Sequence, residues 1–73
     1  MKTYYFSVAI PTKRWLLYYS GDIRTLLVVT TSGLTLSIPA FRLRPYTSSS
    51  GLHGYFKLVL NEQNGFVSLE KLS

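Results

Sequence analysis

Apolar and polar residues alternate along most of this chain, a pattern typical of β-strands with one buried face. In the first such segment Tyr4, Phe6, Val8 and Ile10 alternate with other residues, which predicts a strand over 3–10. Similar patterns, or runs of strand-forming residues, predict further strands over 23–30, 34–38, 55–60 and 66–72. Short polar segments predict hairpin turns over 31–33 and 61–65, the second ending at a glycine suited to a positive φ.

The spacing of apolar residues changes after the first strand. Trp15 and Tyr18 lie three residues apart, as on one face of a helix, and Pro11 suits the start of the first helical turn. Gly21 is suited to a left-handed C-cap, so we predict a helix over 12–20. Two basic residues in the first turn oppose the helix dipole, and the packing of the aromatic residues must therefore stabilise this helix.

The segment 39–56 holds the most distinctive residues of the chain. Two apolar residues alternate with Arg42 and Arg44 between prolines, which predicts a short edge strand over 41–44, and we predict a loop over 46–54. On a strand the two guanidinium groups would share a face, about 7 Å apart, and could bind a phosphate or a partner carboxylate. The alternative is that they protect a sheet edge from unwanted pairing, or that one of them pairs with an acid of this chain.

These elements together predict an α+β fold that is mostly β. The order is β-α-β-β-β-β in a single small domain over 1–73, with one short helix near residues 12–20. We expect a small curled antiparallel sheet or a partly open barrel. Sequential antiparallel pairing is the simplest topology for such an order.

Composition adds an expectation about assembly. The chain has 73 residues, of which 47% are hydrophobic, and it has no cysteine for a disulfide or a thiolate metal site. A chain of this length buries only ~60% of its unfolded surface, so its core is marginal and a homo-oligomer is expected. The formal charge of +5 raises the prospect of nucleic acid as a partner. No segment reads as a signal peptide or a membrane span, and we expect a cytoplasmic protein.

Catalytic chemistry finds little support in the residues. The chain has one histidine, His53, and three acids, of which one lies in a predicted turn and one near the end of the sequence. Serines close to His53 in a loop more often bond to the backbone than act as nucleophiles. We therefore expect no enzyme, no metal site, no cofactor and no small-molecule ligand.

Two binding hypotheses remain. The first is a non-catalytic small β module that acts by protein–protein binding or self-association. The second is a module that binds RNA or single-stranded nucleic acid through Arg42, Arg44, Lys57 and exposed tyrosines, since exposed tyrosines near arginines suit both kinds of partner. The candidate binding residues are Arg42, Arg44, Tyr46, His53, Tyr55 and Lys57.

Several local motifs resemble those of a small bacterial family, the domain of unknown function 2835. The motifs are Tyr18-Tyr19-Ser20-Gly21, Pro39-Ala40, Leu43-Arg44-Pro45-Tyr46 and Gly51-Leu52-His53-Gly54-Tyr55-Phe56. The resemblance spans nearly the whole chain and implies a small bacterial, cytoplasmic protein with no assigned activity. The chain departs from the family pattern where a second histidine often precedes the glycine and serine stands instead, so a function built on a histidine pair is not supported.

Overall fold

The computed structural model describes all 73 residues and contains five strands and one α-helix. The elements follow one another as β1 (Lys2–Pro11), α1 (Thr12–Tyr19), β2 (Thr25–Val29), β3 (Thr35–Pro39), β4 (Gly51–Leu60) and β5 (Phe66–Lys71). Two short 3₁₀ turns, Ala40–Arg42 and Arg44–Tyr46, connect β3 to β4. The predicted α+β class, mostly β with a single helix near residues 12–20, is confirmed. The single α-helix lacks the length and the apolar character of a membrane span.

The strands form two antiparallel sheets. The first has the order β1-β4-β5 and the second pairs β2 with β3. Sequential pairing is therefore wrong for β1, whose ten residues pair with β4 from Lys2 opposite Leu60 to Pro11 opposite Gly51. A backbone hydrogen bond from Thr31 N–H to the Tyr5 oxygen (2.9 Å) ties the end of β2 to β1. No ladder joins the two sheets, and β3 and β5 each keep one unpaired edge, so the sheets do not close into a barrel.

A single core cluster of thirteen apolar residues lies between the two sheets and the helix. Alternate residues of β1 point into it, and the ring of Phe6 stacks on that of Phe56 with centroids 5.5 Å apart. Burying a large apolar side chain contributes about 1.5–3 kcal/mol, so this cluster is the main source of stability for so short a chain. The core therefore holds the two sheets at a fixed relative position.

The helix α1 forms where the aromatic spacing predicts it. Trp15 and Tyr18 are both buried, with ring centroids 5.4 Å apart, and no acidic residue lies in the first turn. Gly21 follows the helix at φ +91°, the left-handed conformation expected of its C-cap. Packing of the two rings against the core thus stabilises the helix despite its basic first turn.

The segment 41–44 is not a strand, which corrects the prediction of an edge strand. Leu43 is fully buried in the core, and its N–H donates to the Ala40 oxygen at 3.0 Å while its own oxygen accepts from Tyr46 N–H at 3.0 Å. Prolines before and after the segment lack the amides that a ladder needs. Turns that bury Leu43 are therefore favoured over an extended edge.

The predicted loop 46–54 is wrong for its second half. Residues 51–54 extend β4 and pair with residues 8–11 of β1, and Leu52 is fully buried. The turn before them is short, with mutual backbone bonds between Ser48 and Gly51 at 2.8 and 3.0 Å. In the turn 61–65 the positive φ lies at Asn64 (φ +65°) instead of at the glycine. Pairing with a distant strand overrides the local turn signals here.

Candidate functional site

A groove lies where the two sheets fail to meet, between β3 and the β4–β5 hairpin. We call this groove the seam, and its volume is about 270 Å³. Its lining is mainly apolar, with a single ionisable side chain, and consists of Leu36, Ser37, Ile38, Pro39, Arg42, Leu58, Leu60, Asn64 and Phe66. The non-sequential pairing of β1 with β4 creates the seam, because it leaves β5 at an outer edge of one sheet and β3 at an outer edge of the other.

The β3 side of the seam carries unpaired backbone groups. The N–H of Thr30 donates to the Leu34 oxygen (2.8 Å), and hydrogen-bonded pairs alternate along an antiparallel ladder. Leu36 and Ile38 therefore bond to β2, whereas the backbone N–H and C=O of Ser37 point towards the free edge. This edge can accept a further strand.

Arg42 lies at the Pro39 end of the seam and is held between two aromatic rings. Its guanidinium carbon is 3.8 Å from the ring centroid of Phe66 and 4.8 Å from that of Phe41. Both rings are partly exposed, at 40% and 49%. Cation–π contacts of this kind fix the plane of a guanidinium group while its N–H edges stay available for hydrogen bonds.

A second cation, Lys2, contacts a residue of the seam's lining without lining the groove itself. The Lys2 ammonium donates to the side-chain oxygen of Asn64 (2.9 Å), and Asn64 lines the groove. Nearby, Glu62 is the ion-pair partner of the N-terminal ammonium. No acidic residue lines the groove, and Arg42 is the one charged side chain in its lining.

Arg44 points away from the seam. Its guanidinium donates to the Tyr19 backbone oxygen (3.1 Å) and lies 5.2 Å from the centre of the Tyr19 ring. It lines two clefts beside α1, of about 300 and 390 Å³, and Arg24 lines the smaller one with it. The structure therefore does not bring Arg42 and Arg44 onto one strand face, and the expected double-guanidinium grip is not formed.

Tyr46 is used in packing. Its hydroxyl donates to the Leu69 oxygen (2.7 Å), and its ring meets Phe56 edge to face with centroids 5.4 Å apart. These contacts join the second 3₁₀ turn to β5 and to the core. Tyr46 is thus half-buried, and its hydroxyl is already paired within the chain.

Three of the candidate residues lie on the sheet face that points away from the core. His53, Tyr55 and Lys57 alternate along β4, and Tyr55 stacks on Tyr5 of β1 with ring centroids 6.1 Å apart and an interplanar angle of 14°. Glu70 of β5 is directly opposite Lys57. We call this set the outer face; it is separate from the seam.

The His53 side chain forms a hydrogen bond to the turn that precedes β4. Its Nε2 donates to the backbone oxygen of Ser50 at 2.8 Å, which places the proton on that nitrogen. The side chain is exposed, and no group of three or more His, Cys, Asp and Glu residues lies together in the structure. This hydrogen bond indicates that His53 stabilises the adjacent turn.

Sequence reasoning missed most of the seam. Phe66, Leu36 and Leu60 read as ordinary residues of alternating strands, and nothing local marks them as lining a groove. Their proximity depends on which strands pair. Only the unusual density of apolar residues indicated that some of them would face a partner, and twelve large hydrophobic side chains are indeed exposed.

The fold and the groove define a small α+β protein with two antiparallel sheets and one open seam. The family model described as "Protein of unknown function (DUF2835)" matches residues 2–72. The chain therefore belongs to this family, as its motifs indicate. The comparisons with curated proteins and with solved structures gave no match.

Proposed function

We propose that this chain is a non-catalytic protein-binding module that takes an extended segment of another polypeptide into the seam. The observation that carries the proposal is the free edge of β3 beside an apolar groove. A segment added there would bond to the backbone of Ser37 and place alternate side chains against Leu36 and Leu60. Backbone bonds would supply affinity and the groove would supply specificity.

The marginal size of the β2–β3 sheet supports this function. An isolated two-stranded hairpin is barely stable in water, and this one depends on packing against the rest of the molecule. A third strand would satisfy the unpaired backbone groups of β3. Binding of such a segment would therefore extend the β2–β3 sheet to three strands and pair its free edge.

The chemistry of the seam suits binding better than catalysis. Its only ionisable lining residue is Arg42, and an arginine stays protonated in proteins and cannot serve as a general base. The groove volume of about 270 Å³ lies just below the usual range of ~300–1,000 Å³ for small-molecule pockets. An extended chain with a few inserted side chains fits such a groove.

A proline at position 37 tests the proposal. Ser37→Pro removes the amide that faces the free edge and leaves the bonds to β2 intact, so we expect the domain to fold but to lose strand binding. A phage-displayed library of random peptides is selected on the wild-type chain, and the affinity of the enriched peptides is then measured by fluorescence anisotropy. We expect a loss of about tenfold or more for Ser37→Pro, as for a lost backbone bond plus a steric block.

Ser37→Ala is the matched control because it keeps the amide. Its affinity should equal that of the wild-type chain, and circular dichroism should show that both variants fold. Equal binding by Ser37→Pro and Ser37→Ala would place the peptides elsewhere and contradict the proposal.

A second candidate function is supported by the outer face. Single-stranded nucleic acid could stack on the Tyr5–Tyr55 pair while Lys57 contacts a phosphate, which is how many sheet surfaces bind it. Glu70 opposite Lys57 lowers the local positive charge, and Arg42 and Arg44 lie elsewhere. This function therefore ranks behind protein binding.

Oligonucleotide binding at low salt tests the second candidate. Affinity for a mixed single-stranded oligonucleotide should fall steeply as salt rises, because counterions are released on binding. Lys57→Glu should weaken binding more than Lys13→Glu, which makes the same charge change on the helix. Equal losses would indicate general attraction to a basic protein, and absence of binding at low salt would remove the candidate.

A further inference from the structure

We propose that the segment bound at the seam carries an acidic side chain, and that Arg42 is the residue that recognises it. This inference rests on the proposed function, since it names the chemistry of the partner that the seam would take. The molecule has three clefts, and the seam is the one that combines a free strand edge with an arginine that has no carboxylate partner.

Arg42 is preorganised for a carboxylate. Its guanidinium carbon lies 3.8 Å from the ring centroid of Phe66 and 4.8 Å from that of Phe41, so these contacts restrict the long side chain before a partner binds and lower the entropy cost of binding. A planar guanidinium with free N–H edges binds a carboxylate through two parallel hydrogen bonds.

No carboxylate of this chain satisfies Arg42. The only ion pair in the structure joins the N-terminus to Glu62. Asp22 accepts a hydrogen bond from the Ser20 hydroxyl, and Glu70 lies opposite Lys57 on the outer face. The cation at the Pro39 end of the seam is therefore left for a partner.

The charge of the seam also argues against a second copy as the preferred occupant. The chain has only three acids against eight basic residues. Asp22 and Glu62 lie in turns, and Glu70 lies opposite Lys57 on the outer face. A separate protein that presents an extended apolar segment with an acidic residue complements Arg42 and Lys2 better.

The position of Arg42 predicts where the acid lies in that segment. Leu36 and Ile38 line the apolar length of the seam, and Arg42 follows Pro39, where β3 ends. The partner should therefore have apolar residues at alternate positions along β3 and its acidic residue beyond them, at the Pro39 end.

Peptide selection with charge variants tests this inference. The phage-displayed library of random peptides is selected on the wild-type chain, and the best peptide is synthesised with Glu and with Gln at its acidic position. We expect the wild-type chain to prefer the Glu peptide by roughly tenfold, as for one charge-assisted pair. Arg42→Gln should reduce this ratio to about one, and Arg42→Glu should favour a peptide with Lys at that position.

Arg24→Gln and Arg24→Glu are the matched controls. They make the same changes of net charge at an exposed arginine that lines a different cleft, so the tenfold preference should persist in both. If the Arg24 variants also lost the preference for the Glu peptide, the net charge of the protein and not Arg42 would determine that preference. This result would overturn the inference. Enriched peptides without any acidic residue would overturn it too and leave the proposed function standing. Absence of enrichment on the wild-type chain would overturn the proposed function itself.

Discussion

At the scale of single residues, Gly51 sets the point where β4 meets the end of β1. Its φ is +108°, and a Cβ built on it would lie 2.7 Å from the carbonyl carbon of Pro11 and from the nitrogen of Thr12, besides touching the Ile10 oxygen. These are backbone atoms held by strand pairing, so they cannot move aside cheaply. The close approach of the two strands therefore requires glycine.

Gly51→Ala should destabilise the domain severely. We expect the free energy of unfolding to fall by about 4 kcal/mol or more, which is most of the stability of a chain this small. Urea unfolding followed by the fluorescence of Trp15 measures the loss. Gly21→Ala is the control, because Gly21 also has a positive φ but has no atom within 4 Å of the added Cβ, and it should lose about 1–2 kcal/mol. Equal losses in the two variants would mean that the backbone at Gly51 can move.

Arg42 and Arg44 show how far neighbouring residues can diverge. Their spacing suggests one shared face, but the turn at Leu43 sends one guanidinium to Phe66 and the other to Tyr19. The two arginines therefore act separately: Arg44 bonds to the end of α1, and Arg42 faces the seam. A double substitution would mix two effects, which is why the proposed tests change Arg42 alone.

At the scale of elements, the sequence predicts those helices and strands whose formation depends mainly on residues close together in the chain. The helix over 12–20 and the strands over 3–10, 34–38 and 66–72 match α1, β1, β3 and β5 to within a residue or two. Their evidence was periodicity and the special angles of proline and glycine, which depend only on neighbours in sequence. These parts of the fold could be predicted from the sequence.

Elements that depend on distant contacts could not be predicted. Leu43 alternates with arginines as a strand residue would, but the core buries it in a turn. Residues 51–54 carry turn-like glycines, but they pair with the last residues of β1. The seam follows from the same long-range choice, because any strand order that paired β3 with β4 would have removed it. Of the residues that line the seam, the sequence therefore predicted only Arg42 as a binding residue.

At the scale of the whole molecule, the open seam gives a structural reason to expect association. The core of so short a chain is marginal, and it leaves strand edges and apolar surface exposed. The two sheets share one core but leave β3 and β5 with free edges. A fully closed barrel of the same sequence would hide these edges and would need no partner. The free chain instead presents an apolar groove, which association through the β3 edge would cover.

Weak self-association through β3 is the consequence for the free chain. Two copies can pair their β3 edges antiparallel, since such a contact is symmetric and needs no further segment. A second copy offers no suitably placed acid to Arg42, so the association should be weak. Light scattering after size exclusion should show a shift from monomer towards dimer as the protein concentration rises.

Two experiments test whether that dimer forms through the seam: a comparison of two Ser37 variants, and competition by the selected peptide. Ser37→Pro should remain monomeric at concentrations where Ser37→Ala associates like the wild-type chain, because only the proline removes the amide at the free edge. The acidic peptide selected on the wild-type chain should also dissociate the dimer, since both occupy the same edge. A dimer that persists in Ser37→Pro, or in the presence of saturating peptide, would place the contact on another surface. The exposed residues Leu27 and Val29, on the face of the β2–β3 hairpin that points away from the core, would then be the next to substitute.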